Sequence, residues 1–475
     1  MRKMVNFVRH DSIVAALGLS LIDLNRRGRR RLIPALFAAV VVTWAAIPQA
    51  CNAHAGHEPS IAWLRQLSTS DLGTGVGIDD LGNVYITGYG LVDPVTNEND
   101  AYVDKYDAAG NHLWTRTIAT TEDDQSHDIS VTGAGGFYIT GQTLGDLYAT
   151  HAGGGKEAVL GSYNSAGNLI WGRHLSTAGD IVSNAVSADN LGNIFLGGFS
   201  SGPVNGDYGG GLSDGFVAKY DVAGNLMWSR NIGTDEPDWV NDVSADGAGN
   251  VYVAGETRGV LDADGAAGNF DSYLRKYDSA GNVLWTRQIG TLTDETNSSV
   301  STDALGNVFI GGATGGSMGD ESAGLSDVFI QKHDADGNHL WTRQFGTEAL
   351  DAIFAIQTDG LGNVYIAGET AGDLGAVNAG AVDVLVAKLD TEGNVLWINQ
   401  FGSVHSDQIW GLALKEPGTL FLAGNTGGVL EGTEVELTDA ILVKLVDEVP
   451  EPATAVMSIL AAISILSGLR RRRAG

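Results

Sequence analysis

Through the middle of the chain, apolar and polar residues alternate in short runs. DSYLRKYD from Asp271, DGFVAKYD from Asp214 and DVFIQKHD from Asp327 each switch between the two kinds, as a half-buried strand requires. GNVYVAG from Gly249 and GNVFIGG from Gly306 supply a second run rich in Val, Ile, Tyr and Phe, and NVLWTRQIG from Asn282 a third that carries Trp. Together with the stretch before each GNV run, such as Asn241 to Asp246 or Ile353 to Thr358, they predict four short β-strands in a fixed order. Asp-x-Leu-Gly-Asn joins the first strand to the second, and Tyr-Asp-x-x-Gly-Asn joins the third to the fourth. Asp forms Asx turns and Gly tolerates a left-handed backbone, so both joints read as tight hairpins.

The four-strand unit repeats. Trp63, Trp114, Trp171, Trp228, Trp285, Trp341 and Trp397 stand 51, 57, 57, 57, 56 and 56 residues apart, and six of the seven follow Gly-Asn and two further residues. Four strands per unit is the blade of a β-propeller. The expected fold is all-β: a seven-bladed β-propeller of four-stranded blades over residues 56–448, with the run ending at Asp246 innermost and the Trp strand outermost. The first Trp strand, Ile61 to Leu67, stands alone, while the last unit ends at Ala440 to Val446 without one. The N-terminal strand should therefore close the last blade and remove the exposed edges of the ring. Across residues 60–446 the repeat resembles the SBBP family of bacterial propeller repeats, on its Asp-x-x-Gly-Asn-Val-Tyr-x-x-Gly core. That resemblance implies the fold far more than an activity.

Composition supports many tight turns, with 66 Gly in 475 residues and only 18% charged residues; hydrophobic residues, at 43%, exclude a disordered chain. The net charge of -29 is unevenly spread, since residues 56–448 hold 16 basic against 54 acidic residues. Such a body repels nucleic acid and anionic lipid, and neither is expected as a partner. The basic residues gather at the ends. Arg26 to Arg31 lead into the apolar run Leu32 to Pro48, and Ala53-His54-Ala55 offers small residues for cleavage, so residues 1–55 read as a secretory leader. Cleavage after Ala55 removes Cys51, the one cysteine, and with it any thiol chemistry. Residues 449–475 contain Val449-Pro450-Glu451-Pro452, an uncharged stretch 453–469 expected as a single hydrophobic helix, and then Arg470, Arg471, Arg472 and Arg473. This three-part end resembles the PEP-CTERM sorting signal of Gram-negative bacteria. It implies an exosortase-like membrane enzyme as partner, export through the inner membrane, and a transient or permanent anchor at the cell surface or in the extracellular matrix.

An acidic residue recurs ahead of each inner strand: Asp71, Asp124, Asp180, Asp238, Glu295, Asp351 and Asp407, with Asp180 one place out of register. Two readings are open. At equivalent blade positions these residues would form a ring near the channel mouth whose repulsion a divalent cation relieves, and Ca2+ suits hard oxygen ligands on flexible loops. Alternatively, each carboxylate caps backbone NH groups of its own loop. Asp334-Ala335-Asp336-Gly337-Asn338 looks like the start of a calcium loop, yet it lacks the Glu at the twelfth position and aligns with plain hairpins. It reads as a turn. The Trp-x-Arg pairs, from Trp63 and Arg65 to Trp341 and Arg343, read as blade packing. No zinc-type His spacing or Ser-His-Asp order emerges. Strands alternate in direction, so the short hairpins share one face and the longer, acidic, Gly-rich connections share the other, where function is expected. The expectation is a non-catalytic, monomeric surface propeller that binds an extracellular polysaccharide or surface protein, with Ca2+ as a candidate aid. The competing class is a propeller-type polysaccharide lyase or hydrolase, which needs a blade that departs from the repeat. The nearest departures are Asp235 to Trp239 and His405 to Trp410.

Overall fold

The computed structural model describes residues 59–447 apart from 68–70, 94–97, 205–207, 320–321 and 431–437. The leader, the Val449 to Pro452 motif, the stretch 453–469 and Arg470 to Arg473 lie outside the described residues. The described strands form seven four-stranded antiparallel sheets, one per blade. Blade 4 shows the plan, with Asp238–Ala245, Val251–Thr257, Asp271–Tyr277 and Val283–Ile289 lying side by side in chain order. Inner strands of consecutive blades touch one another, which sets the first strand of each sheet nearest the axis.

Burial follows that order. Val251–Thr257 is buried throughout, whereas the outer strand Val283–Ile289 begins exposed. Between sheets the apolar side chains interleave: Ala185, Phe195 and Val217 of blade 3 pack on Val240, Val243 and Val253 of blade 4. Each large side chain so buried contributes about 1.5–3 kcal/mol, and that gain exists only while the neighbouring blade is in place.

Blade 7 is completed from the other end of the chain. Asp407–Glu416, Thr419–Thr426 and Asp439–Val446 pair in order, and Ser60–Leu67 joins the last of them with Ser60 opposite Val446 and Leu67 opposite Ala440. The N-terminal strand closes the ring, as the unpaired Trp strand in the sequence indicates.

One repeated clasp joins the blades at their periphery. In the outer hairpin of blade 4, Asp278 accepts the Ala280 and Asn282 backbone NH groups and the Asn282 amide at 2.8–2.9 Å. Gly281 takes φ +78° there, a left-handed value that favours Gly. From blade 3, Trp228 Nε1 and Lys219 Nζ both donate to Ser279 O, at 3.2 and 3.0 Å, and Arg230 Nε donates to Gly281 O at 2.8 Å. The Arg230 guanidinium also lies 5.4 Å from the Trp228 ring centre, within cation–π range. Arg65, Arg173, Arg287 and Arg343 repeat the bond on Gly110, Gly224, Gly337 and Gly393 at 2.7–2.9 Å, and Arg116 holds Ala166 O at 2.9 Å. Asp334 accepts from Asp336 and Asn338 as the other hairpin residues do, so the calcium-like pentapeptide is a turn.

The seventh seam differs. The chain enters and leaves where blade 7 would carry such a hairpin. Trp397 of blade 6 accordingly has a buried indole NH that finds no acceptor among the described residues. Asn399 stands where the six other pairs have Arg, and Lys388 pairs with Asp447 at 2.6 Å instead of reaching a hairpin carbonyl.

Candidate functional site at the central cavity

Every inner strand slips register against the second strand, for example between Gly73 and Gly75, Ser126 and Asp128, Val240 and Asp242, and Ile409 and Gly411. Such bulges re-aim a side chain. The Gly that ends the GNVYVAG motif makes the bulge possible: a Cβ on Gly255 would lie 1.9 Å from Trp239 O, and one on Gly141 1.9 Å from Gln125 O. A repeated backbone device therefore turns one residue per blade toward the axis while leaving its identity free.

Those residues include Thr74, His127, Asn184, Asn241, Phe354 and Trp410, and they line a cavity of about 900 Å3. In blades 1 to 3 the residue is tied to the next blade. Thr74 Oγ1 donates to Ser126 O at 2.9 Å, His127 Nδ1 lies 2.9 Å from Ser183 O, and Asn184 Nδ2 donates to Val240 O at 2.8 Å. In blades 4, 6 and 7 it is released from that duty. Asn241 Nδ2 turns to Glu256 Oε1 at 2.9 Å, Phe354 and Trp410 pack against each other with ring centres 4.4 Å apart, and Trp410 Nε1 donates to Asn425 Oδ1 at 2.6 Å. Trp410 remains 39% exposed. Trp239, at the start of the blade 4 inner strand, stacks on Phe270 from the long connection at 5.2 Å and 18°. One side of the cavity is sealed by hydrogen bonds; the other offers aromatic rings beside amides and a carboxylate.

Two further carboxylates face the cavity. Asp128 accepts the backbone NH of Ile129 and of Val186 in the next blade, at 2.7 and 2.8 Å. Asp242 accepts from Val243, Val300 and Ser299 Oγ at 2.7–2.9 Å. Burial pushes Asp128 up to about 7 and Asp242 up to about 6, against the lowering effect of those donors. Burial also lowers His127. No Lys or Arg lines the cavity among the described residues.

None of the seven acidic residues singled out in sequence lines this cavity. Asp124, Asp238, Glu295, Asp351 and Asp407 each open an inner strand, fully buried, and turn onto their own loop. Asp351 accepts Thr347 NH at 2.5 Å, Thr347 Oγ1 at 2.9 Å and Thr370 Oγ1 at 2.5 Å; Glu295 accepts from Thr291 and Thr314 at 2.6–2.7 Å. Asp124 and Asp238 take the NH and hydroxyl of Thr120 and Thr234, and Asp407 takes Ser403 NH and Thr426 Oγ1. Asp71 holds the same strand position opposite Gly90. Asp180 sits one residue earlier and accepts Lys156 NH at 2.9 Å, while Ile181 takes the strand position. Five of the seven, Asp124, Asp238, Glu295, Asp351 and Asp407, are thus engaged by donors of the loop before them, while Asp180 holds a backbone NH of the preceding connection. Among the described residues no three His, Cys, Asp or Glu side chains form a metal-holding group.

Of the two departures from the repeat, Trp239 and Trp410 reach the cavity, whereas Asp235 and His405 do not. Asp128, Asp242, Glu256 and Phe354 escaped sequence reading. Phe354 is the bulged residue of its strand, Asp128 and Asp242 directly follow the bulge of theirs, and Glu256 lies on the second strand opposite Trp239; the signal is a column at the bulge whose members differ between repeats that otherwise agree.

Fold and repeat together define a seven-bladed β-propeller. The sequence model of the SBBP family, a beta-propeller repeat, matches three stretches of it, residues 62–94, 227–262 and 340–375. The regulatory protein FlaEY of Caulobacter vibrioides is 25% identical over 252 residues, 49% of this chain and 26% of that protein. A WD repeat-containing protein of Acanthamoeba polyphaga mimivirus is 24% identical over 231 residues, 38% of this chain and 17% of that protein. The chain thus spans about a quarter or less of these relatives. Among solved structures, the Neurospora crassa Pan2 WD40 domain gives a TM-score of 0.45 at 10% identity, covering 82% of this chain and 97% of that one. A PL25 ulvan lyase bound to -[GlcA(1-4)Rha3S]- gives 0.47 at 13% identity, covering 81% and 96%.

Proposed function

We propose that this chain is an exported, non-catalytic surface propeller that binds polysaccharide in its central cavity, from the side of the long connections. The observation that carries this reading is that six of the seven seams carry the same clasp, whereas the described residues turned to the axis range from Thr74 and His127 through Asn184 and Asn241 to Phe354 and Trp410. Trp239, Phe354 and Trp410 give flat apolar surfaces for sugar rings, and Asn241, Glu256, Gln408 and Asn425 give hydrogen-bonding partners for hydroxyl groups. Export and surface placement rest on the leader, residues 1–55, and on the Val449 to Pro452 and Arg470 to Arg473 motif read in sequence.

The lyase alternative has less support. Proton abstraction beside a uronate carboxylate builds negative charge that a cationic group must stabilise, and the lining supplies carboxylates without Lys or Arg. A hydrolase would draw on Asp128 and Asp242, which both hold backbone NH groups of the neighbouring blade. The test is retention of the purified chain on a glycan array, followed by chromatography of the incubated glycans. Retention without shortened product is expected. Unsaturated or newly reducing ends would establish catalysis, and failure to retain any glycan would end the binding reading.

A further inference from the structure

Resting on that reading, we infer that the bound polymer carries protonated amines: an amino-sugar chain with free amino groups, in preference to a neutral or uronate one. The titratable groups that line the cavity are Tyr89, His127, Asp128, Asp242 and Glu256. Three of the five are acids, and no Lys or Arg stands among the lining residues described. His127 adds no counter-charge, because burial lowers its pKa and keeps the ring neutral near pH 7.

The acids are fixed in place rather than free to swing. Asp128 and Asp242 are each held by backbone NH groups from their own blade and the next, and Glu256 by the Asn241 amide. With Ser299 Oγ as a third donor to Asp242, two or three donors still leave each carboxylate accepting capacity, since its oxygens offer about four lone-pair directions. On the opposite wall, the Phe354–Trp410 pair presents an indole that is 39% exposed. An ammonium group is attracted to the face of Trp within about 6 Å of its ring and to carboxylates beyond it. A uronate would gain no such pairing and would meet like charge wherever one of these acids is ionised. A neutral sugar would keep the stacking and lose the charge pairing.

The test compares glucosamine oligomers, N-acetylglucosamine oligomers of equal length, oligoglucuronate and a Lys-rich peptide, by calorimetric titration of the purified chain at pH 6.5. The free-amine oligomer is expected to bind at least tenfold tighter than its acetylated counterpart. That ratio should fall close to one in Glu256→Gln and in Asp242→Asn, with melting temperatures near that of the parent chain. Glu256→Gln keeps an acceptor for Asn241, so it tests charge even if Asp242→Asn fails to fold. Trp410→Ala should weaken both oligomers. Equal or tighter binding of the acetylated or uronate oligomer, still abolished by Trp410→Ala, would overturn the amine inference and leave the polysaccharide reading standing. Tighter binding of the peptide would overturn the amino-sugar assignment in favour of a protein partner. No binding by any glycan would remove both readings.

Discussion

At the periphery of the ring, six repeats present the same Trp and Arg to the hairpin of the next blade, and the acceptors are backbone carbonyls that no substitution removes. At the axis, blades 1 to 4, 6 and 7 present Thr74, His127, Asn184, Asn241, Phe354 and Trp410 from one bulge. The first region is uniform because any blade that lost its clasp would weaken the packing of its neighbours. The second is free to vary because the bulge is made by backbone and a Gly in the second strand. Stability and recognition are thereby assigned to different ends of each blade. The seventh seam supports the division, since Arg gives way to Asn399 at the junction that has no hairpin to clasp.

The largest effect should come from deleting Ile61 to Leu67. The strand Asp439–Val446 would then become an exposed edge, and cooperative unfolding should give way to aggregation, read by calorimetry and light scattering. A cooperative transition at the parent temperature would show that closure contributes nothing. Next, Trp228→Ala with Arg230→Ala should lower the melting temperature by about 2–5 °C, whereas Asn399→Ala at the seventh seam should leave it close to the parent value. Equal losses at both seams would erase the contrast between clasped and open junctions.

Acid and base should act on the two regions with opposite sign. Asp107, Asp221, Asp278 and Asp334 are held below the usual carboxylate range, first by the amide of the Asn four residues on. Their contribution is present above about pH 4 and is lost as pH falls through the lowered values. Asp128 and Asp242 are raised to about 7 and about 6. Their contribution is present below about pH 4 and is lost as pH rises toward 6–7. In a melting series from pH 4.5 to 8.5, Asp128→Asn with Asp242→Asn should therefore gain stability relative to the parent at the alkaline end. Parallel curves would contradict the burial of charge at the axis. The smallest effect concerns Ca2+. Because the inner-strand carboxylates are already met by Thr, Ser and backbone donors, millimolar Ca2+ should leave the melting temperature unchanged, and a clear rise would reassign those residues to a cation.

Much of the ring was legible in sequence. The Trp spacing counts the blades, the Gly-Asn hairpins mark the turns, and the lone Trp strand at Ile61 to Leu67 foretells closure, because each is a local demand of backbone geometry repeated seven times. The acidic series was visible too, but its direction was not. Whether Asp351 points to the axis or to Thr347 and Thr370 depends on donors four and nineteen residues away, and strand periodicity says nothing of that. The cavity wall was harder still. Asn241, Phe354 and Trp410 break the alternation of their strands at the bulge, so a period of two assigns them to the wrong face, and only alignment of the seven repeats on the bulge would have gathered them.

The division between clasp and cavity is tested most directly by comparing two variants in one glycan-retention assay, with melting temperature measured alongside. Trp410→Ala should lose retention and melt like the parent, while Arg230→Ala should melt lower and retain glycan in full. Loss of retention by Arg230→Ala with Trp410→Ala unaffected would contradict the account.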